Sequence, residues 1–336
     1  DNGAELIING VISALKNNVD FFPILVGPKS LIDTCFNKAG YDTSIYEVID
    51  TNEFISGSDA PTCIFGGKDN TSMALALDRL KTDNDCIALA SAGNTGVLLV
   101  GSICRVGLLP SLKFPALCSA LPCASEENLL CLVDCGANID CTSADLVRFA
   151  KMGNVFSSCY CQIASPRIGL MSVGREDQKG TTVTKEAFGL LSNLGLNFIG
   201  NLEGSDIVSG YADVIVCDGY AGNLLLKATE AVGKAAMDVV SRIADKELAQ
   251  KINAELFKKF DFNSQGAATF LGVKKIITKM HGSAKETTVE ATIKQILRLD
   301  NADFSAKMKK LGIYVNKKKN NALKITEELL LHADKF

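Results

Sequence analysis

The chain runs again and again from a short apolar stretch into a turn rich in Gly, Asn and Asp, and this alternation restricts it to a narrow set of folds. Residues 86–90 lead into Ser91-Ala92-Gly93-Asn94-Thr95-Gly96, and 129–133 into Asp134-Cys135-Gly136-Ala137-Asn138-Ile139-Asp140. Residues 168–173 lead into Gly174-Arg175-Glu176-Asp177-Gln178-Lys179-Gly180, 214–217 into Asp218-Gly219-Tyr220-Ala221-Gly222-Asn223, and 276–280 into His281-Gly282-Ser283. Further strand-like runs cover 21–26, 45–49, 116–121 and 197–202. Helix-period patterns at 6–15, 72–80, 144–156, 183–194, 223–244 and 286–299 separate most of these runs. Such alternation predicts an α/β protein with a doubly wound, mostly parallel, Rossmann-like sheet. Ligands of such sheets sit beyond the carboxyl ends of the strands, where glycine lets backbone N–H groups approach an anion. Turns of this kind that open helices therefore predict a phosphate-handling site.

Composition narrows the class further. With 336 residues the chain has the length for about two domains, or one large α/β unit. No uninterrupted apolar run reaches the ~18 residues of a membrane span, and 47% hydrophobic with 22% charged residues is ordinary for a globular protein. A formal net charge of −3 gives no electrostatic footprint for nucleic acid. The twelve cysteines lie mostly in apolar runs, and only two histidines are present. Cys159-x-Cys161 is not a paired Cys-x-x-Cys, so reduced thiols, no metal and no cofactor are expected. No leader pattern marks the given sequence, which reads as cytoplasmic. The expected organisation is one α/β domain over 1–300 and a helical tail over 301–336. The domain would include a helical projection at about 241–265. The tail contains Lys317, Lys318 and Lys319 and a helical pattern at 323–331.

The two commonest nucleotide fingerprints, Gly-x-x-x-x-Gly-Lys-Ser/Thr and Gly-x-Gly-x-x-Gly, are both missing from the sequence, so neither ATP nor NAD is indicated. Gly93, Asn94, Thr95 and Gly96 would instead aim amides at a phosphate. A tight strand-to-helix turn without ligand is the alternative reading of each such turn.

The motifs in combination resemble the bacterial phosphate acyltransferases of phospholipid synthesis, the PlsX family, over residues 1 to about 298. They are Ser91-Ala92-Gly93-Asn94-Thr95-Gly96, Asp134 with Gly136-Ala137-Asn138-Ile139-Asp140-Cys141, and Phe149-Ala150-Lys151-Met152-Gly153. Asn197-Phe198-Ile199-Gly200-Asn201, Val216-Cys217-Asp218-Gly219-Tyr220-Ala221-Gly222-Asn223 and His281-Gly282-Ser283 follow in order. The resemblance implies the architecture of phosphotransacetylases and isopropylmalate dehydrogenases. It also implies transfer of a fatty acyl group from acyl carrier protein to inorganic phosphate, and a homodimer. Three positions depart from the family pattern. Asp1-Asn2-Gly3 resembles the end of its opening Met-Gly-Gly-Asp motif, Phe114-Pro115 stands where Arg-Pro is usual, and Arg175 stands where an acidic or polar residue is usual.

Phosphate attack on a thioester requires the dianion to be positioned and the developing oxyanion to be stabilised, but needs no covalent nucleophile. Lys179, in a Gly-flanked loop, would hold phosphate as a compact cation, and the resemblance implies that it is catalytic. Its alternative is a solvated loop lysine. Asn223 is either a helix cap or, as the resemblance implies, an amide polarising the thioester carbonyl. Asn138, Asp218, Gly219, Gly222 and His281 complete the expected substrate and phosphate contacts. Asp134, Asn138 and Asp140 would alternatively tie loops together, and His281 would either assist the leaving thiolate or bond within its own loop. Cys141 or Cys217 acting through an acyl-enzyme is a further alternative.

In segment 245–262, Leu248, Ile252, Leu256 and Phe260 recur every four residues beside several lysines. Lys251, Leu256, Phe257, Lys258 and Lys259 would meet an acidic carrier protein or the inner face of an anionic membrane, or the helix would pack on a twin subunit. Two readings compete with the long-chain acyltransferase: a short-chain phosphotransacetylase, and a non-catalytic scaffold that binds acyl carrier protein.

Overall fold

The computed structural model describes residues 3–110, 112–123, 129–260 and 262–311. In chain order its elements are α1 (Gly3–Lys16), β1 (Ile24–Gly27), α2 (Lys29–Lys38), β2 (Glu47–Asp50), α3 (Ser72–Thr82), β3 (Ala88–Ser91), α4 (Thr95–Gly101), β4 (Ala116–Pro122), β5 (Leu129–Val133) and α5 (Ser143–Phe156). There follow β6 (Ile168–Met171), α6 (Thr182–Ser192), β7 (Phe198–Leu202), β8 (Val214–Val216), α7 (Gly219–Ile243), α8 (Lys246–Phe260), β9 (Ala268–Leu271), β10 (Ile276–Lys279), α9 (Glu286–Asn301) and α10 (Phe304–Leu311). The expected tail lysines and the helical pattern at 323–331 lie outside the described residues. The chain divides into two units, one formed by the segment up to Pro115 with Gly266–Asn301, the other by Ala116–Gln265 with Ala302–Lys307.

In the first unit β1 pairs in parallel with β2, and β3 in parallel with β10, which pairs antiparallel with β9. Helices α1 and α9 pack together over a core of Ile8, Ile12, Phe36, Tyr46, Met280 and Val289. Gly10 permits that approach: a Cβ there would lie 2.5 Å from Val289 Cβ and 2.9 Å from the Glu286 carbonyl oxygen. Gly10→Ala is expected to separate the two helices and cost about 1–3 kcal/mol in a urea melt. An unchanged midpoint would show that α1 and α9 shift apart freely.

In the second unit β5, β8, β6 and β7 lie side by side in that order, all parallel, and β4 pairs antiparallel with the outer edge of β5. The antiparallel pair follows from the sequence: no helix pattern separates the two runs, and a parallel pair requires a long crossover. All of Val214–Val216 and most of β5 are buried, as a strand covered on both faces requires. Helix α5 begins with a capping box in which Thr142 and Asp145 satisfy each other's backbone N–H. It lies so close to the sheet that a Cβ on Gly153 would meet Val214 at 2.8 Å and Val133 at 3.0 Å. Helices α7 and α8 form a hairpin in which Gly233 faces Phe260, whose Cβ would be 2.5 Å from an added methyl.

The mostly parallel α/β architecture and the main strand and helix runs are as the sequence predicts, with two additions. Strand β9 and helix α2 were not expected, because a four-residue strand or a weakly patterned ten-residue segment carries little periodic signal.

Candidate functional site

In the second unit three loops leave the carboxyl ends of the neighbouring parallel strands β5, β8 and β6. The first is built around Asp134, which is fully buried. Its Oδ1 accepts hydrogen bonds from the backbone N–H of Leu117 at 3.0 Å, Gly136 at 3.1 Å and Ala137 at 3.0 Å, and its Oδ2 accepts from Asn138 Nδ2 at 2.7 Å. Burial raises its pKa to about 6 against the opposing pull of these donors. Asp134 and Asn138 thus tie the loop together, the structural alternative the sequence leaves open for both.

The second loop enters α7. Asp218 caps it, accepting from Ala221 N–H at 2.7 Å, and Gly219 N–H donates to the Asn138 carbonyl at 2.6 Å. Glycine is obligatory at two points of this approach. A Cβ on Gly219 would lie 2.7 Å from the Asn138 carbonyl oxygen, and one on Gly222 only 2.0 Å from that of Asp134. Asn223 sits in the second turn of α7, so it is not the cap; Asp218 is. Its half-buried side chain lies over Gly136, where an added Cβ would be 3.7 Å from Asn223 Cβ. No described residue hydrogen-bonds the Asn223 amide.

The third loop carries Lys179. Asn201 Nδ2 donates to the Glu176 carbonyl at 2.9 Å, and Arg175 pairs with the buried carboxylate of Asp206 at 2.6 Å while lying over the Tyr211 ring. Gly180, at φ +106°, turns the chain toward α6. The Lys179 stem lies against Gly174, its side chain is exposed, and no described carboxylate pairs with its ammonium group. Asn201, Arg175 and Asp206 were not expected as supports of this loop, although Asn201 closes the 197–201 motif and Arg175 is a departure from the family pattern.

In the first unit the Ser91–Gly96 turn and His281 follow the adjacent parallel strands β3 and β10, joined where Met280 N–H donates to the Ser91 carbonyl at 2.8 Å. Asn94 caps α4, accepting from Val97 N–H at 3.1 Å, and its Nδ2 donates to the carbonyls of Gly57 and Asp59. Both ends of that amide serve the turn itself, the alternative the sequence allowed. Thr95 is half-buried and free of side-chain partners among the described residues, and Gly93 is crowded, since a Cβ would lie 2.6 Å from Met73 Cε. His281 is exposed and bonds locally, its Nδ1 2.7 Å from Ser283 Oγ.

Burial and the nearby Asp134 raise the Cys141 and Cys217 thiols far above their ordinary range, opposite to what an attacking thiolate needs. On α8, Lys251 pairs with Glu247 and Lys258 with Glu255, both at 2.7 Å, while Lys259 and Phe257 are exposed and Leu256 is half-buried. No described helix is long and apolar enough to cross a membrane.

Residues 1–307 match the family model described as fatty acid synthesis protein. A phosphate acyltransferase of Thermoanaerobacterium thermosaccharolyticum is 37% identical over 298 residues, covering 86% of this chain and 87% of that protein. One from Clostridioides difficile is 34% identical over 304 residues, covering 88% of each. Among solved structures, a phosphotransacetylase from Streptococcus pyogenes aligns at a TM-score of 0.60 and 16% identity over 89% of this chain and 92% of its own. The EutD phosphotransacetylase from Staphylococcus aureus aligns at 0.55 and 12% identity over 87% and 90%. At these identities the structural likeness is one of fold alone.

Proposed function

We propose that this chain, which belongs to the fatty acid synthesis protein family, transfers a fatty acyl group from a carrier-protein thioester to inorganic phosphate, releasing acyl phosphate for phospholipid synthesis. It is an acyltransferase. A phosphate oxygen attacks the thioester carbonyl carbon, a C–O bond forms, the C–S bond breaks, and the thiolate leaves with the proton that phosphate gives up. The observation that carries this reading is a pair of uncommitted groups at the carboxyl ends of adjacent strands: the Lys179 ammonium after β6 and the Asn223 amide after β8.

Lys179 supplies the charge that holds the attacking dianion. Asn223 donates to the carbonyl oxygen as it gains charge, from a helix whose first turn the Asp134 loop holds rigid. Neither Cys141 nor Cys217 takes part, because raised thiol pKa values favour direct attack over an acyl-enzyme. Within the second unit Asn138, Asp218, Gly219 and Gly222 shape the wall beside Asn223; within the first, Gly93, Thr95, Gly96 and His281 make a turn with the chemistry to contact a phosphate group.

The fatty acyl carrier is an acidic acyl carrier protein, and its landing surface is the exposed edge of α8 with Lys251, Leu256, Phe257, Lys258 and Lys259. The same hairpin leaves Val232, Val239, Ile243, Leu248 and Ile252 exposed, which supports burial against a second copy of the chain. Peripheral contact with the inner membrane face uses the same edge.

Phosphate-dependent loss of thioester tests the reading. The expected order of rates is palmitoyl carrier protein, then palmitoyl-coenzyme A, then acetyl-coenzyme A. Preference for acetyl-coenzyme A would identify a short-chain phosphotransacetylase. Carrier binding without thioester loss would identify a scaffold.

A further inference from the structure

Three cysteines of the second unit stand in a row that runs inward from its surface, and the acyl transfer described above uses none of them. Cys131, in the middle of β5, is fully buried. On one side it meets Cys118 of β4, also fully buried, two residues along from the Ala120 that lies opposite Cys131 in the antiparallel register. The two thiols therefore share one face of the strand pair. On the other side the Cys131 sulfur lies 3.5 Å from that of Cys161. Cys161 closes the π-helical turn Ser157–Cys161 that extends α5, and it is half-buried where the other two are shut off from solvent. Cys159, two residues earlier, points another way, its Sγ donating to the Ala302 carbonyl at 3.7 Å.

From 3.5 Å the two sulfurs need to close by only about 1.5 Å to reach disulfide length. A buried thiol by itself is inert, because the interior disfavours the thiolate. A buried thiol in contact with a half-exposed one is not, since an oxidant has to reach only the outer sulfur. Burial raises the pKa of Cys118, and the contact with Cys118 together with burial raises that of Cys131 against an opposing pull from Cys161. Reaction therefore starts at Cys161 and moves inward.

We propose that Cys131 and Cys161 are a modification site, a thiol pair that a hydroperoxide oxidises to a disulfide joining β5 to the end of α5. The Cys161 sulfur attacks the peroxide: an S–O bond forms, the O–O bond breaks, and the peroxide leaves as water or an alcohol, with Cys161 now a sulfenic acid. The Cys131 sulfur then bonds to the Cys161 sulfur, the S–O bond breaks, and the hydroxyl group leaves as water with the Cys131 proton. Two electrons have passed from the two thiols to the peroxide. Because the departing hydroxyl group takes up that proton, Cys131 need not ionise beforehand. Strand β5 runs directly into the Asp134 loop, so the bond ties down the strand that carries this loop. Nothing in this chemistry depends on the acyltransferase reading.

The test titrates hydrogen peroxide onto the reduced, folded full chain. Remaining thiols are blocked with iodoacetamide in urea, and the protein is digested without reductant and mapped by mass spectrometry. Cys104, exposed in the first unit, gauges whether the oxidant has acted. The peptides bearing Cys131 and Cys161 should be recovered joined, about 2 Da lighter than the two together, and dithiothreitol should separate them. Cys161→Ser should lose this link and Cys159→Ser should keep it, each variant being checked by its melt.

Oxidised Cys104 with Cys131 and Cys161 both still alkylated would overturn the proposal. So would Cys161 recovered as sulfinic acid without a linked peptide, or Cys131 joined to Cys118 or any other cysteine in its place. A parallel oxidation of the chain unfolded in urea should spread links over many of the twelve cysteines. An equal share of the Cys131–Cys161 link from that unfolded chain would also overturn it, because the folded contact would then not be what selects the pair.

Discussion

Asn223→Ala is expected to lower kcat/KM by roughly 10²–10³-fold, the usual cost of removing one oxyanion donor. The loss should fall on kcat, because the amide gains strength only as the carbonyl oxygen becomes charged. Asn223 lies past the first turn of α7 and its side-chain amide bonds to no described residue, so the variant should fold and melt as the parent does. Asn223→Asp keeps the shape, removes the donor and adds a negative charge, and should be at least as impaired. Lys179→Ala should show the complementary pattern, a raised KM for phosphate together with a fall in rate, since its charge is felt by the dianion before and during attack. The loop that carries Lys179 is held by Asn201, Arg175 and Asp206 rather than by Lys179 itself, so this variant too should remain folded. Steady-state kinetics with phosphate varied at saturating thioester separate the two patterns. Full activity of either variant would remove that residue from the chemistry.

The second large effect is expected at Gly222. An added methyl would lie 2.0 Å from the Asp134 carbonyl oxygen and 2.9 Å from Cys217 Sγ, and the nearer obstacle is backbone that no rotamer change moves. Helix α7 must then lift from the Asp134 loop. Gly222→Ala should cost about 1–3 kcal/mol of stability. A displacement of about 1 Å at Asn223 should cost a further ~10²-fold in rate, although no substrate contact has been removed. Gly189, in α6, is the control: nothing lies within 4 Å of its added methyl. Gly189→Ala should gain about 0.5–1 kcal/mol, as expected where alanine replaces glycine within a helix. Melts of both variants with activity measured on the folded fraction separate the two outcomes. A Gly222→Ala protein with parental stability and rate would mean that the α7 approach is looser than these distances require.

Much of this was legible in the sequence because it depends on local chemistry. The β5 run at 129–133, the turn after it and the α5 pattern all follow from period and turn composition, and the structure places them within a residue of expectation. The grouping of turns within each unit followed as well, since neighbouring parallel strands direct their carboxyl ends to one edge. What resisted reading was the partner of each polar side chain. Asp134, Asn138 and Asn94 are polar residues in Gly-rich turns, just as Asn223 and Lys179 are. Only packing distinguishes them: Asp134 and Asn94 are committed to backbone groups around them and Asn138 to the Asp134 carboxylate, while two are left open. The start of α7 was placed four residues late, because Gly219 and Gly222 depress helical propensity locally while tertiary approach to the Asp134 loop requires them there.

The most direct test of the account is formation of acyl phosphate itself. Purified protein is incubated with palmitoyl carrier protein and phosphate, the product is trapped with hydroxylamine as the hydroxamate, and free carrier thiol is counted in the same samples. Hydroxamate and thiol are expected in equal amounts, both dependent on phosphate and both abolished in a Lys179→Ala, Asn223→Ala double variant that remains folded. Thiol released without hydroxamate, or hydroxamate formed equally well by the double variant, would contradict it.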